Sequence, residues 1–334
     1  MKKFLETLPL LLVASLSACD IAHQYRQDTL FLFDTAVTVK TTEYHGLMYN
    51  VVVQEGTCKL LKEVDAVADA YKKRDVPSIY DLNNTNEKIE INAELYNLLK
   101  RALEAQTFAP NYNPFIGSLS NKWKDALAKG EVLSKAVIQE ELNKMKDADL
   151  ILEWDGENKY TAQRVGEALI DVGAIAKGYA LDVCESYLHR YAEPDYEYMV
   201  DAGSSSILLG RKKGGSNFTI KIKDLSKPTY LYLKDSFIST SGTSEQGVKI
   251  GDNTYSHIIN PKDGSAVSNY DAVIVIAPAQ GKMNGYKTDA LSTSLMMSSI
   301  EEIEYFDFNS DCSVVVIKDD NIVYSSESLK LQNG

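Results

Sequence analysis

Residues 171–182 constrain the fold of this chain more than any other segment of its 334 residues. Their sequence, DVGAIAKGYALD, has an acid, two glycines and a lysine between an extended segment and a helical pattern. Residues 167–170 predict a short strand, and apolar residues at spacings of three and four predict an amphipathic helix after it. The expected apolar face of that helix comprises Ala176, Ala180, Val183, Tyr187 and Tyr191.

The start of this predicted helix has the features of an anion site. Free backbone amides at a helix start attract negative charge, and Lys177 lies one turn in. The acid Asp171 beside these amides is explained if a metal ion or a hydrogen-bond donor of the ligand binds its carboxylate. A flavin or nucleotide pyrophosphate with a divalent cation would satisfy all of these groups. A structural interpretation also fits this segment alone, in which Gly173 and Gly178 serve a tight turn and close packing.

Residues 1–18 predict a lipoprotein signal peptide. Two lysines precede a mostly apolar run at 4–16, which ends in the box Leu-Ser-Ala-Cys at 16–19. The run is too short to span a bilayer, and cleavage before Cys19 would free that residue for acylation, for example with palmitate. An ordinary signal peptide with a cysteine near its cleavage site is the alternative. We therefore expect a lipidated tether at 19–27 and a membrane-anchored protein of the bacterial cell envelope, facing the periplasm or another extracytoplasmic space.

Charge and cysteine content argue against several classes of protein. The net charge of −12 argues against broad nucleic-acid binding, which needs a basic surface. Three cysteines follow Cys19, namely Cys58, Cys184 and Cys312, and none belongs to a CxxC pair. A disulfide framework or a zinc site is therefore not expected. Cys184 lies one residue from the predicted apolar face of the helix, so we expect it to be a buried structural thiol.

The remaining pattern predicts a single α+β unit over residues 28–330. Helices are expected mainly in the first half and short strands after residue 149, without repeats or a linker between domains. Residues 81–86 are expected to form a turn and 111–121 a loop. The predicted helices are 49–72, 92–108 with Asn92 as its N-cap, 135–146 and 287–298. The predicted strands are 29–40, 151–154, 160–164, 198–201, 207–209, 218–222, 230–233, 237–239, 272–277, 313–318 and 322–325.

Small, polar or glycine-containing segments follow several of these elements, at 201–206, 239–245, 255–264 and 288–293. Asp289 and Thr293 are four residues apart on one helix face, so both can reach a hard cation such as Mg²⁺. His257, the last of four histidines, precedes a Pro-x-x-Gly turn. Each feature also has a structural interpretation, in which Asp289 is a helix-terminal charge and His257 has no chemical role.

Taken together, these segments resemble the ApbE-type flavin transferases, which are FAD:protein FMN transferases. The resemblance covers about residues 33–294, and its most specific part is the GxxxKGYxxD pattern within 171–182. The other matches are Ser256-His257-Ile258-Ile259-Asn260-Pro261 with Gly264, Asp289-Ala290-Leu291-Ser292-Thr293 and, more weakly, Thr240-Ser241-Gly242 with Glu245.

The chain departs from the family pattern at three places. Family members usually have Asp-Pro-Thr at 113–115, Met-Gly-Thr at 33–35 and two glycines at 203–204. Here the corresponding residues are Asn-Pro-Phe, Phe-Asp-Thr and Gly-Ser. These changes concern the expected flavin pocket more than the expected metal site.

The resemblance implies an α+β fold of the T-fold-like kind, with mixed sheets and packed helices in a single large catalytic unit. It also implies FAD as a substrate, with Mg²⁺ on the pyrophosphate. The family's metal ligands correspond to Asp289, Thr293 and the backbone carbonyl of Ala174. Its flavin and adenosine contacts correspond to Phe33, Tyr71, Asn111, Tyr112, Asn113, Asp171, Lys177 and Ile259.

The implied reaction transfers FMN from FAD to a threonine or serine hydroxyl of an acceptor protein and releases AMP. A hydroxyl is a poor nucleophile near neutral pH, and His257 is the candidate base. The family suggests a membrane redox-pump subunit as the acceptor. Two alternatives use the same site: an FAD pyrophosphatase that releases FMN and AMP, and an FAD-binding lipoprotein without chemistry.

Overall fold

The computed structural model describes residues 25–42, 47–193, 196–223, 225–243, 247–251 and 253–333. The predicted signal peptide, the lipidation site Cys19, most of the tether and Glu245 lie outside the described residues. No helix of the described part is long and apolar enough to cross a membrane.

Side-chain caps account for the starts of several helices. Asn92 accepts from Leu95 N at 2.8 Å, which confirms it as the predicted N-cap, and Ser134 accepts from Val137 N at 3.4 Å. The helix that follows Ser134 has the predicted bounds. The helices are α1 (Leu47–Ala68), α2 (Ile79–Asn83), α3 (Ala93–Ala105), α4 (Gly117–Ala128), α5 (Lys135–Lys146), α6 (Ala176–Tyr191), α7 (Gly285–Leu295) and α8 (Ile300–Phe308).

The strands form one large sheet and three small ones, and every described strand pair is antiparallel. The large sheet has the order β1-β2-β6-β7-β10-β13-β14-β15, and the small sheets are β11-β12, β16-β9-β8 and β3-β5-β4. The strands are β1 (Tyr25–Leu32), β2 (Thr35–Thr42), β3 (Ile89–Ile91), β4 (Asp149–Trp154), β5 (Tyr160–Val165), β6 (Tyr198–Ala202), β7 (Ser206–Leu209), β8 (Phe218–Ile222), β9 (Thr229–Leu233), β10 (Ser236–Gly242), β11 (Val248–Ile250), β12 (Asn253–Tyr255), β13 (Ala272–Pro278), β14 (Ser313–Lys318), β15 (Asn321–Ser325) and β16 (Gln332–Asn333).

The large sheet separates two hydrophobic clusters. Side chains alternate along β13, so Val273 and Val275 belong to the larger cluster and Ile274 and Ile276 to the smaller one. On the larger side α7 packs on β10 and β13, α6 packs on α7, and α1 packs on α6. The smaller cluster includes residues of β8 and β9. The predicted α+β architecture is thus confirmed.

The predicted strand at 29–40 is wrong, because the chain reverses in its middle. Phe33 and Asp34 form a two-residue turn between β1 and β2, with φ values of 52° and 57°. Turns of this kind favour asparagine, aspartate and above all glycine. Asp34 is one of these, but no glycine is present and apolar Phe33 continues the strand pattern, so the sequence signal for the reversal is weak.

The predicted strand at 167–170 is also wrong. Its backbone pairs with side chains instead of a neighbouring strand: Ile170 N donates to Asn83 Oδ1 at 2.8 Å, and Leu169 N donates to Ser118 Oγ at 2.9 Å. Ser118 belongs to α4, which begins within the predicted loop at 111–121. The polar pattern of α4 concealed this helix.

The buried face of α6 is rotated relative to the prediction. Leu181, Cys184 and Leu188 are fully buried, whereas Tyr191 is exposed. Packing against both α1 and α7 accounts for the wider buried face. The expected burial of the Cys184 thiol is confirmed, and the described cysteines are free.

Candidate active site

One cavity of about 350 Å³ brings most of the predicted site residues together. It lies where the start of α6 meets α7, the β1–β2 turn and the loop before α4. The predicted residues that line it are Phe33, Asn111, Tyr112, Asn113, Asp171, Ala174, Lys177, His257, Ile259, Asp289 and Thr293. Tyr71 instead lines an adjoining cavity of about 990 Å³, which shares Phe33, Asp171, Lys177 and His257 with the first.

Close contact between α6 and α7 depends on two glycines. A Cβ atom at Gly178 would lie 2.1 Å from the carbonyl oxygen of Gly285, and one at Gly285 would lie 2.3 Å from that of Gly178. Only glycine allows the two backbones to approach this closely. The approach brings the buried carboxylate of Asp289 to the start of α6, where its Oδ2 accepts from Gly178 N at 2.9 Å.

Gly178 N is one of the first amides of α6, which need acceptors from outside the helix, and Asp289 supplies one. Ala174 precedes the N-cap residue Ile175, so its carbonyl lies outside the hydrogen-bonded turns of α6. No described residue donates to Ala174 O. Asp289 Oδ1 accepts from Ser206 Oγ at 3.1 Å, which orients the carboxylate from its other side. The carbonyl of Ala174 therefore remains available to a ligand.

Hydroxyl groups surround the next turn of α7. Thr293 Oγ1 lies 2.9 Å from Ser241 Oγ at the end of β10, and Ser241 Oγ is equally close to Ser292 Oγ. No group of three His, Cys, Asp or Glu side chains among the described residues could hold a metal ion. One carboxylate with a hydroxyl and a carbonyl nevertheless fits Mg²⁺, which commonly takes one or two protein carboxylates and completes its shell with phosphate oxygens and water.

The charge of Lys177 acts on several titratable groups of the cavity, and that of Lys124 also acts on Asp171. Burial raises the pKa of Asp171 and of Asp289, and the charge of Lys177 partly opposes the shift in both. Asp171 Oδ1 accepts from Gly173 N at 2.8 Å, and Asp171 N donates to Pro114 O at 2.7 Å. These bonds hold the loop before α4 against the start of α6.

His257 is exposed at the rim of the cavity. The protein atoms behind the imidazole still desolvate it and lower its pKa, and the charge of Lys177 lowers it further. The neutral form of His257, which can accept a proton, therefore predominates at neutral pH. Buried Ser256 fixes the turn, since its Oγ donates to Val267 O at 2.6 Å and accepts from Ile258 N at 3.2 Å.

Asn111 and Tyr112 differ in how their polar groups are satisfied. The Asn111 side-chain amide donates to Ser294 O at 3.0 Å and to Ser298 Oγ at 3.3 Å, which ties the loop to the end of α7. The Tyr112 hydroxyl is buried and has no hydrogen-bond partner among the described residues. A buried polar group without a partner at a cavity is suited to bind a polar ligand.

The departures from the family pattern have local explanations. Phe115 is buried in the core and does not line the cavity, so it replaces a polar side chain without entering the pocket. Asp34 and Ser204 have φ values of 57° and 62°, in the left-handed region where glycine is most easily accommodated. A Cβ atom at Gly203 would lie 2.5 Å from Thr35 Oγ1, so the first glycine of that pair is required here.

Sequence reasoning did not assign roles to Ser206 and Asp182. Ser206 bonds to Asp289, and Asp182 bonds to the backbone at the start of α7. Asp182 had a signal, because it is the last residue of the GxxxKGYxxD pattern. Ser206 is one of three consecutive serines, and nothing in the sequence distinguishes it from the other two.

Sequence comparison agrees with this geometry. The ApbE family model matches residues 33–315. A relative from Vibrio cholerae serotype O1, named FAD:protein FMN transferase, is 24% identical over 306 residues, which cover 89% of each chain. A relative of the same name from Chlamydia muridarum is 23% identical over 240 residues, which cover 71% of this chain and 73% of the relative.

Solved structures share the fold. The ApbE protein of Thermotoga maritima superimposes with a TM-score of 0.75 at 23% identity, over 91% of this chain and 98% of its own. The flavin transferase ApbE of Vibrio cholerae gives a TM-score of 0.71 at 22% identity, over 92% of this chain and 98% of its own. The family match over most of the residues confirms the resemblance: this chain belongs to the ApbE family.

Proposed function

We propose that this protein is an FAD:protein FMN transferase that moves FMN from FAD to a threonine or serine hydroxyl of an acceptor protein. The observation that carries the proposal is that Ala174, Asp289 and Thr293 line the same cavity as Lys177 and His257. The acceptor oxygen bonds to the phosphorus of the FMN half, the phosphoanhydride bond breaks, and AMP leaves. The hydroxyl proton passes to a base of the protein.

The space available supports a large substrate. Cavities that bind small ligands typically measure about 300–1,000 Å³. The larger of the two adjoining cavities measures about 990 Å³ and the smaller about 350 Å³, and they meet at Lys177 and His257. A dinucleotide such as FAD can extend from one cavity into the other, with its pyrophosphate near the shared residues.

Asp289, Thr293 and the Ala174 carbonyl would hold a magnesium ion. Their oxygens suit a hard cation, and no described residue donates to Ala174 O, which leaves that oxygen available as a ligand. When bound, magnesium neutralises charge on the pyrophosphate and on departing AMP. Ser206 and Gly178 N orient the Asp289 carboxylate, which retains lone pairs for the metal.

The other residues bind, orient and accept a proton. Lys177 contributes positive charge beside the pyrophosphate, and Asp171 accepts a hydrogen bond from the ligand. His257 is neutral and exposed, so it can take the proton of an approaching hydroxyl. Its place at the rim suits an acceptor that is itself a protein and reaches the site from solvent.

The N-terminal sequence supports a location in the cell envelope. In this proposal Cys19 carries lipid, residues 19–27 tether the enzyme to the membrane, and the catalytic unit faces the extracytoplasmic side. The acceptor would be a protein of the same compartment, such as a membrane redox-pump subunit. Replacement of Cys19 by serine, followed by membrane fractionation and lipid labelling, tests the anchor separately from catalysis.

One incubation distinguishes transfer from its two alternatives. The purified protein is mixed with FAD, Mg²⁺ and a candidate acceptor, and the products are analysed for AMP and for a fluorescent flavin band on the denatured acceptor. Transfer predicts both products, and an acceptor without its threonine or serine is the matched control. AMP with free FMN would indicate a pyrophosphatase, whereas retained FAD without AMP would indicate simple binding.

A further inference from the structure

α6 and α7 each donate backbone amides to an aspartate of the other helix. Asp289 of α7 accepts from Gly178 N of α6 at 2.9 Å. In return, Asp182 of α6 accepts through one oxygen from Gly285 N and through the other from Tyr286 N, the latter at 3.0 Å. Each aspartate lies four residues, about one helical turn, after the glycine of its own helix.

The start of α7 depends on Asp182 because its own cap residue does not serve it. Asn284 occupies the N-cap position but makes no side-chain capping bond. Its Oδ1 atom is buried and has no hydrogen-bond partner among the described residues. The first amides of a helix need acceptors from outside the helix. Here Asp182 supplies them from α6, so the position of α7 is coupled to that of α6.

The surroundings of Asp182 make its carboxylate costly to maintain. Burial raises its pKa to about 7, although the two amide bonds and the nearby charge of Arg101 oppose the shift. The negative charge of Glu185 adds to the increase. Asp182 lines neither of the two adjoining cavities. Asp182 therefore does not contact a ligand in these cavities. Its buried carboxylate is explained if it orders α7, the helix whose residues do contact the ligand.

We propose that Asp182 is a positioning residue for the metal-binding face of α7. The inference rests on the proposed function, since it takes Asp289 and Thr293 as metal ligands. The carboxylate fixes the first turn of α7 against α6 and so sets the distance between Asp289 and the Ala174 carbonyl. Asp182 acts through the helix and does not touch the metal or FAD.

Asp182→Asn is the test variant. Asparagine keeps the size of the side chain, but its amide group replaces one of the two acceptor oxygens and faces a backbone N–H. Mn²⁺ serves as the metal probe, and its binding to the FAD-loaded protein is measured by electron paramagnetic resonance without an acceptor. FAD affinity without metal is measured by fluorescence in the presence of a chelator. Glu302→Gln is the matched control, because Glu302 accepts from Ser299 N at the start of α8, away from the cavity.

The proposal predicts that Asp182→Asn weakens Mn²⁺ binding by about tenfold or more, as loss of an outer-shell partner commonly does. FAD affinity without metal and the Glu302→Gln protein should remain at wild-type values. Unchanged Mn²⁺ affinity in Asp182→Asn would overturn the proposal. Equal losses of Mn²⁺ and FAD affinity would also overturn it, since they would indicate a general loss of structure.

If Asp182→Asn does not fold, Asp182→Glu decides, because it retains the carboxylate. The positioning role would be supported if Asp182→Glu preserved FAD affinity and lost less Mn²⁺ affinity than Asp289→Asn. Equal losses of both affinities would contradict it. Failure of the wild-type protein to bind Mn²⁺ in the presence of FAD would refute the proposed metal site itself, and the inference with it.

Discussion

Substitution of Gly178 by alanine tests whether the contact between α6 and α7 sets the geometry of the site. The new Cβ atom would lie 2.1 Å from the carbonyl oxygen of Gly285 and 2.7 Å from Asp289 Cβ. Real Cβ contacts do not fall below 3.0 Å, so the 2.1 Å contact requires the helices to separate by about 0.9 Å. Such a separation would take the 2.9 Å bond between Gly178 N and Asp289 Oδ2 beyond hydrogen-bonding distance.

Two consequences follow for Gly178→Ala. Overpacking costs about 1–3 kcal/mol, and loss of the bond to a charged group adds about 1.5–3 kcal/mol, so the free energy of unfolding should fall by about 2.5–6 kcal/mol. A catalytic group displaced by about 1 Å can reduce the rate about 100-fold. We therefore expect FMN transfer to fall by about two orders of magnitude in protein that remains folded. Chemical unfolding measures the first effect, and fluorescence of the flavin-labelled acceptor measures the second.

Gly56→Ala provides the matched control. Its Cβ atom would also meet atoms at 2.1–2.7 Å, but these belong to the side chain of Tyr187 and not to the backbone of a neighbouring helix. Gly56 lies in α1, outside the cavity, so transfer should remain near the wild-type rate. A Gly178→Ala protein that transfers FMN as fast as Gly56→Ala would refute the idea that the close approach of the two helices positions Asp289.

Three further predictions concern His257 and Asp289, which line the cavity, and Ser204, whose two chain neighbours line it. His257→Asn should reduce transfer about 10²–10⁴-fold with unchanged FAD affinity, and full activity of this variant would contradict a role as base. In the wild-type protein the transfer rate should fall only at pH values below the ordinary histidine pKa of about 6.5, because the lowered pKa keeps His257 neutral above that pH. Asp289→Asn should raise the Mg²⁺ concentration for half-maximal transfer at least about tenfold, and an unchanged requirement would argue against metal ligation. Ser204→Gly should raise the free energy of unfolding by about 0.5 kcal/mol, because relief of the left-handed backbone conformation outweighs the greater entropy of the unfolded chain. If chemical unfolding gave a lower free energy than for the wild-type protein, the φ of 62° at Ser204 would not be strained.

The sequence predicted which residues come together at the site because these residues belong to short segments with distinctive composition. Lys177 and Gly178 lie where an anion-binding helix start was expected, and Asp289 and Thr293 lie on one face of a helix. Regular patterns gave the bounds of α5, β8 and β14 as observed. In these elements local periodicity and caps agree with the tertiary packing.

Features that depend on distant partners could not be anticipated in the same way. The segment at 167–170 joins no sheet because Asn83 and Ser118 bind its backbone, which no local pattern reveals. The bond from Gly285 to Asp182 joins residues 103 positions apart, so it appears only when α6 and α7 meet. Phe33 in the β1–β2 turn is of a residue type that seldom adopts positive φ, and its backbone N donates to Asp65 Oδ1 at 2.7 Å. Tertiary contacts override local preference at each of these places.

Mass analysis of the acceptor after incubation with the enzyme, FAD and Mg²⁺ tests the central claim most directly. The account predicts that the acceptor gains the mass of one FMN less one water on a threonine or serine, with one AMP released for each modified chain. The His257→Asn protein is the control and should modify the acceptor far more slowly. AMP release without a mass gain, or flavin attached to another type of side chain, would contradict the account.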